Sequence, residues 1–199
     1  MFAARAANGS ALLPFISAKT SAAIPVSSTF THDALVQATL DPEVLKIDFL
    51  AQTQVGDTAK DINAIIIVRE SGSMVLDVVP ARTAGDARQD RSIGTAPPAS
   101  GLARITLTAA DIQKEPRFSN CRLVWAYRAH FVGISQRMAI LQTLVDDSPM
   151  NLGRLLSVLR GDRDPGPAVL ALCCGDLIEL DLLSRPLGPE TIARIRREK

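Results

Sequence analysis

Two aspartates, Asp61 and Asp77, stand 16 positions apart in a segment that is otherwise rich in β-branched residues. The runs DINAIIIVRE and SMVLDVVP flank a turn at Gly72, and glycine can adopt the positive φ that a tight turn often requires. The pattern predicts a hairpin in which Asp61 begins the first strand and Asp77 lies within the second. Two carboxylates brought together in this way could hold Mg²⁺.

The residue two positions beyond Asp77 is Val79. Side chains two positions apart share one face of a strand, and metal-dependent nucleases of the restriction-enzyme type carry a lysine there, which orients the attacking water. An isopropyl group can neither polarise water nor stabilise a developing negative charge, so hydrolysis is expected to lose several powers of ten in rate. Asp61 and Asp77 therefore form a candidate catalytic and metal site that is vestigial. In the plainer interpretation, one acid caps a strand end and the other faces solvent.

A helix and a strand are expected to precede this hairpin. HDALVQATL has apolar residues at near-helical spacing, and Asp41-Pro42 would end the helix. In VLKIDFLAQ the apolar period falls toward two, which is typical of a strand with one buried face. Acids on the hairpin would thus lie beside a helix and a neighbouring strand.

LDPEVLKIDFLAQ, followed by D-x7-RESGSMVLDVVP, resembles the amino-terminal domain of TnsA-type transposon endonucleases over about residues 31–80, and more loosely beyond. The pattern of that family is a helix, (D/E)P-x-V, a strand ending near Gln-Pro, then Pro-Asp and (D/E)-V-K-P. The resemblance implies a restriction-endonuclease-like α/β fold, in which a mixed sheet has flanking helices and a small winged-helix domain follows. It also implies a transposase partner and an ATPase partner.

The chain departs from that family at three points of the nuclease site. The family has a Glu on the first helix, where residues 30–33 here read Phe-Thr-His-Asp. Lys60 replaces the proline before the first catalytic acid, and Val79 replaces the lysine. These departures predict a non-catalytic protein that acts as a DNA-binding or adaptor subunit in transposition, recombination or a related DNA transaction.

Two other functions stay open. In the first, the chain is a divergent Mg²⁺-dependent DNA endonuclease in which Asp33 joins Asp61 and Asp77. In the second, a transcription regulator or protein adaptor reuses the fold. No cofactor is expected unless the endonuclease alternative holds.

The middle of the chain offers weaker signals. Residues 81–101 lack large apolar side chains almost entirely and are expected to form a long loop. Thr108 with Asp111 three residues later predicts the capped start of a short helix. CRLVWAYRAHF is predicted as the last strand of the first domain, with Trp125 and Tyr127 on one face.

Helical spacing returns after residue 133. ISQRMAILQTLV carries Ile134, Met138, Leu141 and Val145 on one helical face. MNLGRLLSVL and PAVLALCCG are expected to be two further helices, DLIELDLLSRPL a small hairpin, and PETIARIRREK a basic helix. Three short helices with a two-stranded wing predict a winged-helix domain.

Contacts with DNA are expected at phosphates rather than bases. The second helix of the predicted turn pair, PAVLALCCG, contains none of the Arg, Lys, Asn or Gln residues that read base edges, which favours docking to a protein. Basic residues that could contact the DNA backbone are Arg154, Arg160, Arg163, Arg194, Arg196, Arg197 and Lys199. A solvated charged surface is the simpler interpretation of the same residues.

The composition sets the remaining limits. The 199 residues are 47% hydrophobic with a net charge of +1, so a core is expected but no strong overall attraction to phosphate. Three cysteines, two of them adjacent, fit neither a disulfide framework nor a zinc site and favour a reducing cytoplasm. No apolar run reaches the roughly 18 residues of a membrane span. We expect a flexible arm over 1–30, a nuclease-fold domain over 31–133 and a winged-helix domain over 134–199, and a homo-oligomer is an additional option.

Overall fold

The computed structural model describes residues 13–26, 28–55, 58–79, 102–159 and 164–196, and gives only the backbone for 52–55 and 58–62. The predicted loop at 81–101 lies outside these residues. The chain divides into two units. Unit 1 comprises Met1–Ile16, Thr20–Leu35 and Glu43–Ile112, and unit 2 comprises Ser17–Lys19, Val36–Pro42 and Gln113–Lys199.

Unit 1 is built around a four-stranded mixed sheet. Its strands are β1 (Val44–Val55), β2 (Thr58–Arg69), β3 (Gly72–Val79) and β4 (Ala103–Thr108), in the order β1-β2-β3-β4. The first three strands pair antiparallel, whereas β3 and β4 pair parallel. Helix α1 (Thr29–Leu40) precedes the sheet, and the short α2 (Ala109–Ile112) follows it. The mixed α/β class is thus confirmed, although β4 had no counterpart in the sequence interpretation.

Local signals in the first half of the chain predicted these elements well. The helix before Pro42, the strand after it and the β2–β3 hairpin are all present, and Gly72 has a φ of 125° at the turn. At α2 the Thr108 hydroxyl accepts from the Asp111 N–H, and the Asp111 carboxylate accepts from the Thr108 N–H at 2.9 Å. The capping box is therefore confirmed, with Asp in the place of the usual Glu.

Cross-strand isoleucines form the core of unit 1. Ile47 lies opposite Ile67, Ile65 lies opposite Leu76, and all four side chains are buried. Since directly opposed residues share a face, this face of the sheet is the internal one. The other face carries Asp77.

The predicted flexible arm is packed over the part that the structure describes. Phe15 and Ile24 are buried and form an antiparallel bridge with N–H···O distances of 2.8 and 2.9 Å. Thr20 forms a parallel bridge with Ile47 of β1. These buried side chains and backbone bridges tie residues 13–26 to the rest of the fold.

Over the described residues, unit 2 has the end of α1 (Val36–Leu40), four further helices and a three-stranded antiparallel sheet. Its helices are α3 (Arg117–Trp125), α4 (Ile134–Asp147), α5 (Leu152–Val158) and α6 (Gly166–Cys174). Its strands are β5 (Met150–Asn151), β6 (Ile178–Leu180) and β7 (Ile192–Ile195), in the order β5-β7-β6. No described helix is long and apolar enough to cross a bilayer.

Three sequence predictions in this part of the chain are wrong. Residues 121–131 do not form a strand: 121–125 belong to α3, where Cys121, Val124 and Trp125 are buried at helical spacing, and Tyr127 lies in the following turn. This helix is part of unit 2, which includes Gln113–Lys199. The end of the chain was predicted to be a basic helix. Instead, residues 192–195 form strand β7, in which Ala193 pairs with both β5 and β6. Consequently β6 has β7 as its partner and not residues of its own predicted hairpin.

The apolar face predicted for α4 lies at the surface. The helix itself is confirmed, but its fully buried residues are Ile140 and Leu144. Ile134, Met138 and Val145 are exposed. The apolar periodicity correctly predicted the helix and a row of apolar residues along it. It did not show that a different pair, Ile140 and Leu144, packs into the core.

Candidate nuclease-like site

Asp77 lies in the middle of the unit 1 sheet, on the face opposite the isoleucine core. In β3 it pairs with Thr106 of β4, and Val79 pairs with Thr108. Residues 77 and 79 are two positions apart on one strand and therefore share a face. An aliphatic side chain thus occupies the position from which a nuclease lysine would reach the metal-bound water.

A cation approaches Asp77 from the neighbouring strand. The Nη1 of Arg104 lies 3.5 Å from the Asp77 Oδ2, and Arg104 pairs with Val75, so it lies diagonally across from the acid on the same face. The side chains are 52% and 40% exposed, which makes this a weak, screened ion pair. Because β4 was not predicted, the sequence interpretation missed this neighbour.

Asp61 is placed by a bulge in β2. Leu50 pairs with Ala64 but Gln52 pairs with Asp61, so β2 has one residue more than β1 over this stretch, and Asn63 there has a φ of 50°. Without the extra residue, positions 61 and 64 would alternate between faces. With it, backbone position 61 is in register with the face of Ala64. The Asp61 side chain lies outside the described residues, as does that of Lys60.

Asp77 lies on the same side of the sheet as Ala64. Ile65 and Leu76 are paired, so Ala64 and Asp77, one step along each strand, lie on the same opposite side. Lys46 and Asp48 of β1 pair with Val68 and Ile66 and belong to this side too. Charges of both signs therefore line it.

Asp48 of β1 is paired with two side-chain donors on this face. Its carboxylate lies 2.8 Å from the Lys46 Nζ and accepts from the Ser21 hydroxyl at 2.6 Å. These two hydrogen bonds, first that of Lys46, hold the pKa of Asp48 below its usual value. A carboxylate already satisfied by protein donors has less to gain from a metal ion.

Asp33, the third acid of the endonuclease alternative, lies in α1. Its Oδ1 is 3.6 Å from the Nδ1 of His32, whose ring contacts Phe15 edge-on at 5.6 Å between centroids. Among the described side chains, no three His, Cys, Asp or Glu residues are close enough to hold a metal ion. Asp61 is not one of those side chains.

The predicted phosphate-binding residues of unit 2 differ in availability. Arg194 is exposed, and Arg154 is exposed while paired with Asp147. Arg196 is mostly buried: its guanidinium lies 3.1 Å from Glu179 and 3.5 Å from Asp176, and it donates to the Pro42 carbonyl. Its contacts are thus internal to unit 2. The four other basic residues, Arg160, Arg163, Arg197 and Lys199, lie outside the described residues.

A buried lysine that the sequence interpretation did not single out completes the Arg196 cluster. The Nζ of Lys19 lies 3.2 Å from Asp176 and donates to the Asp41 carbonyl at 2.7 Å. Burial lowers the pKa of Lys19, while the Asp176 charge opposes that shift. Little in the sequence indicated that Lys19 would be buried: it is one of only two Lys or Arg residues before Asp33 and belongs to no motif.

Unit 2 also contains a cavity of about 180 Å³. Leucines 40, 180 and 182 line it together with Arg117, whose guanidinium lies 3.7 Å from Asp41 and donates to the Gln37 carbonyl at 3.4 Å. Cys121 also borders it, and burial raises the pKa of that thiol to about 11. A thiol held protonated in this way is a poor nucleophile.

Helix α6, the helix expected to face DNA in a winged-helix domain, offers no polar side chain. None of its nine residues is exposed, and Ala168, Val169, Leu172, Cys173 and Cys174 are buried. Burial raises the pKa of Cys174 to about 12 and raises that of Cys173 as well. The helix therefore packs inward with its cysteines as small apolar residues.

A scan against models of known protein families finds no match to this sequence, and a search of curated proteins also finds none. What the chain does is consequently inferred from its residues and their geometry.

Proposed function

We propose that this protein is a non-catalytic relative of TnsA-type transposon endonucleases, and that it serves as an adaptor subunit in transposition, recombination or a related DNA transaction. The resemblance of residues 31–80 to that family motivates the proposal. The mixed sheet of unit 1, with its hairpin β2–β3 and the parallel β4, is compatible with a restriction-endonuclease-like fold.

The surroundings of Asp77 carry the proposal. A guanidinium beside this acid supplies positive charge where a nuclease would have a metal ion, and Val79 supplies none where the lysine would be. Such a site has no ammonium group to activate water, and the weak pair with Arg104 competes with Mg²⁺ for Asp77. Weakening of both functions on one sheet face favours a pseudo-enzyme.

The order of elements in unit 2 supports a winged-helix domain. A helix, a short strand, two helices and two strands follow each other, and the last strand lies between the other two. In DNA-reading domains of this kind the second helix of the pair projects polar side chains into the major groove. Since α6 has none and packs inward, it is not suited to reading bases, and we propose that other surfaces of this domain dock to a protein.

The family resemblance suggests a transposase or an ATPase subunit as the protein partner. DNA would be held only through its phosphates, by exposed residues such as Arg154 and Arg194. Such contacts are independent of base sequence and weaken steeply with salt. A cytoplasmic location without a resident cofactor follows from the same proposal.

A pull-down with the full chain from its native host tests the adaptor role. We expect transposase or ATPase subunits among the retained proteins, and weak binding of unrelated duplexes in a fluorescence-anisotropy titration that falls with salt. Retention of the transcription machinery without recombination proteins, together with sequence-selective binding, would instead identify a transcription regulator.

One observation favours a second candidate, the divergent Mg²⁺-dependent endonuclease. The bulge at Asn63 brings backbone position 61 into register with the face of Asp77, as a two-acid metal site needs. Such an enzyme would use Asp33, Asp61 and Asp77 without a lysine. Metal-dependent nicking of supercoiled plasmid by the wild type and by Asp61→Ala and Asp77→Ala separates the two candidates.

A further inference from the structure

Helix α4 carries a stripe of exposed apolar side chains. Ile134 is 82% exposed, Met138 59% and Val145 62%, and Leu141 between them is half-buried. At 3.6 residues per turn these four positions lie within about 60° of each other, and roughly 110° around the axis from the buried side of the helix. We call these four residues the α4 stripe. An apolar row of this length on a surface helix marks an interaction site.

The spacing of the stripe indicates what would cover it. Its steps are four, three and four residues, the spacing of a coiled-coil seam. The sequence of steps is the same from either end of the helix. Two antiparallel copies would therefore set Ile134 against Val145 of the second copy, and Met138 against Leu141. A closed dimer of identical chains requires a surface that is complementary to itself in this way.

The charges of α4 agree with the antiparallel arrangement. Arg137 lies in the first half of the helix and Asp146 near its end, while Asp147 is already paired with Arg154. In an antiparallel pair the basic half of each helix lies beside the acidic end of the other, and the two helix dipoles oppose each other favourably. A parallel pair would bring the acidic ends together.

We propose that a second copy of this chain packs on the α4 stripe, so that the protein forms a two-fold symmetric dimer through antiparallel α4 helices. Phe131, which is 86% exposed just before the helix, extends the apolar surface at its beginning. A helix of 14 residues is about 21 Å long, so the seam alone covers less than the roughly 800 Å² per partner of a standard interface. We therefore expect a reversible dimer whose population depends on protein concentration.

Sedimentation velocity on the full chain, from about 1 to about 300 µM, tests the proposal across the range in which such an interface assembles. We expect a monomer–dimer equilibrium that Met138→Glu weakens about a hundredfold or more, since the two introduced carboxylates lie near each other at the two-fold axis. Val158→Glu is the matched control, because Val158 is equally exposed but lies in α5. It should leave the equilibrium unchanged, and circular dichroism should show both variants folded.

Cysteine cross-linking tests the orientation. Mixing an Ile134→Cys variant with a Val145→Cys variant should give a disulfide-linked dimer of one of each, because the native thiols are buried and do not compete. Ile134→Cys alone should cross-link poorly, since residue 134 of the two copies would be separated by about 16 Å along the helix axis.

A chain that is monomeric throughout, a dimer that Met138→Glu leaves intact, or cross-linking that is fastest between two copies of Ile134→Cys would each overturn the proposal.

Discussion

The guanidinium of Arg104 lies 3.5 Å from the carboxylate of Asp77, across the parallel pair of strands β3 and β4. This contact makes β4 part of the candidate site, although the pattern that suggested the site lay entirely in the β2–β3 hairpin. It places a protein cation beside the acid that a nuclease would use for its metal.

Replacing Arg104 by alanine should change the free energy of unfolding by less than about 1 kcal/mol, because the pair is exposed and screened. Urea denaturation of the wild type and Arg104→Ala measures the difference. A loss of several kcal/mol would mean that Arg104 supports the sheet, and that its position beside Asp77 is not a feature of the site alone.

Asn120 should be a major determinant of the stability of unit 2. Its buried amide donates to the carbonyls of Leu182 and Arg185 and accepts from the N–H of Leu187, which holds the connection between β6 and β7. We expect Asn120→Ala to lower the free energy of unfolding by about 2–4 kcal/mol and to speed amide exchange across residues 182–187.

Asn151→Ala is the matched control for that variant, because Asn151 makes one exposed hydrogen bond to Glu190. It should cost less than about 1 kcal/mol. Equal losses in the two variants would show that burial of the Asn120 amide is not what holds the connection.

Lys19→Met should destabilise the fold by about 1 kcal/mol, because the loss of the ion pair with Asp176 and of the hydrogen bond to the Asp41 carbonyl outweighs relief of the burial that lowers the pKa of Lys19. Lys46→Met, at an exposed pair with Asp48, serves as the control and should have little effect. Thermal unfolding at neutral pH compares the two. A Lys19→Met variant as stable as the wild type would show that methionine packing replaces the ion pair fully.

The buried thiol of Cys121 should make stability fall at alkaline pH. Its pKa is about 11 in the folded chain against an ordinary value of 9.0, so its contribution is complete below pH 9 and is lost as pH rises from 9 to about 11. Lys19 acts in the opposite sense, since its folded pKa is lowered and stability gained from it rises with pH.

Cys121→Ala should make the free energy of unfolding fall less steeply with pH between 9 and about 11. The slope should change by up to about 1.4 kcal/mol per pH unit, which corresponds to one proton. Urea denaturation at several pH values between 8 and 11 gives the slopes of both proteins. Curves that stay parallel would show that the Cys121 thiol ionises in the folded chain as it does in the unfolded one.

The first half of the fold could be predicted because its signals are local. Gly72 indicated the turn of the hairpin, and Thr108 with Asp111 indicated where a helix begins. The arm at Phe15 and Ile24 could not be predicted, since its order comes from burial against residues distant in sequence. The helix at 117–125 was mistaken for a strand because bulky β-favouring residues fill it, although its buried positions have helical spacing.

For the candidate site, sequence spacing placed both acids on a hairpin but could not show that backbone position 61 is in register with the face of Asp77. That depends on the bulge at Asn63, an irregularity of one strand against its neighbour. Arg104 was missed for a related reason: its partner lies 27 positions earlier in the chain and meets it only through a parallel strand pairing.

The central claim, that the Asp77 site does not cleave DNA, is tested most directly by nicking of supercoiled plasmid with Mg²⁺ and with Mn²⁺. Wild type, Asp61→Ala, Asp77→Ala and Val79→Lys are compared at equal concentration, and every preparation is purified in the same way. We expect wild type to nick no faster than either alanine variant with either metal. Metal-dependent nicking by the wild type that both alanine substitutions abolish would contradict the account and establish the divergent endonuclease.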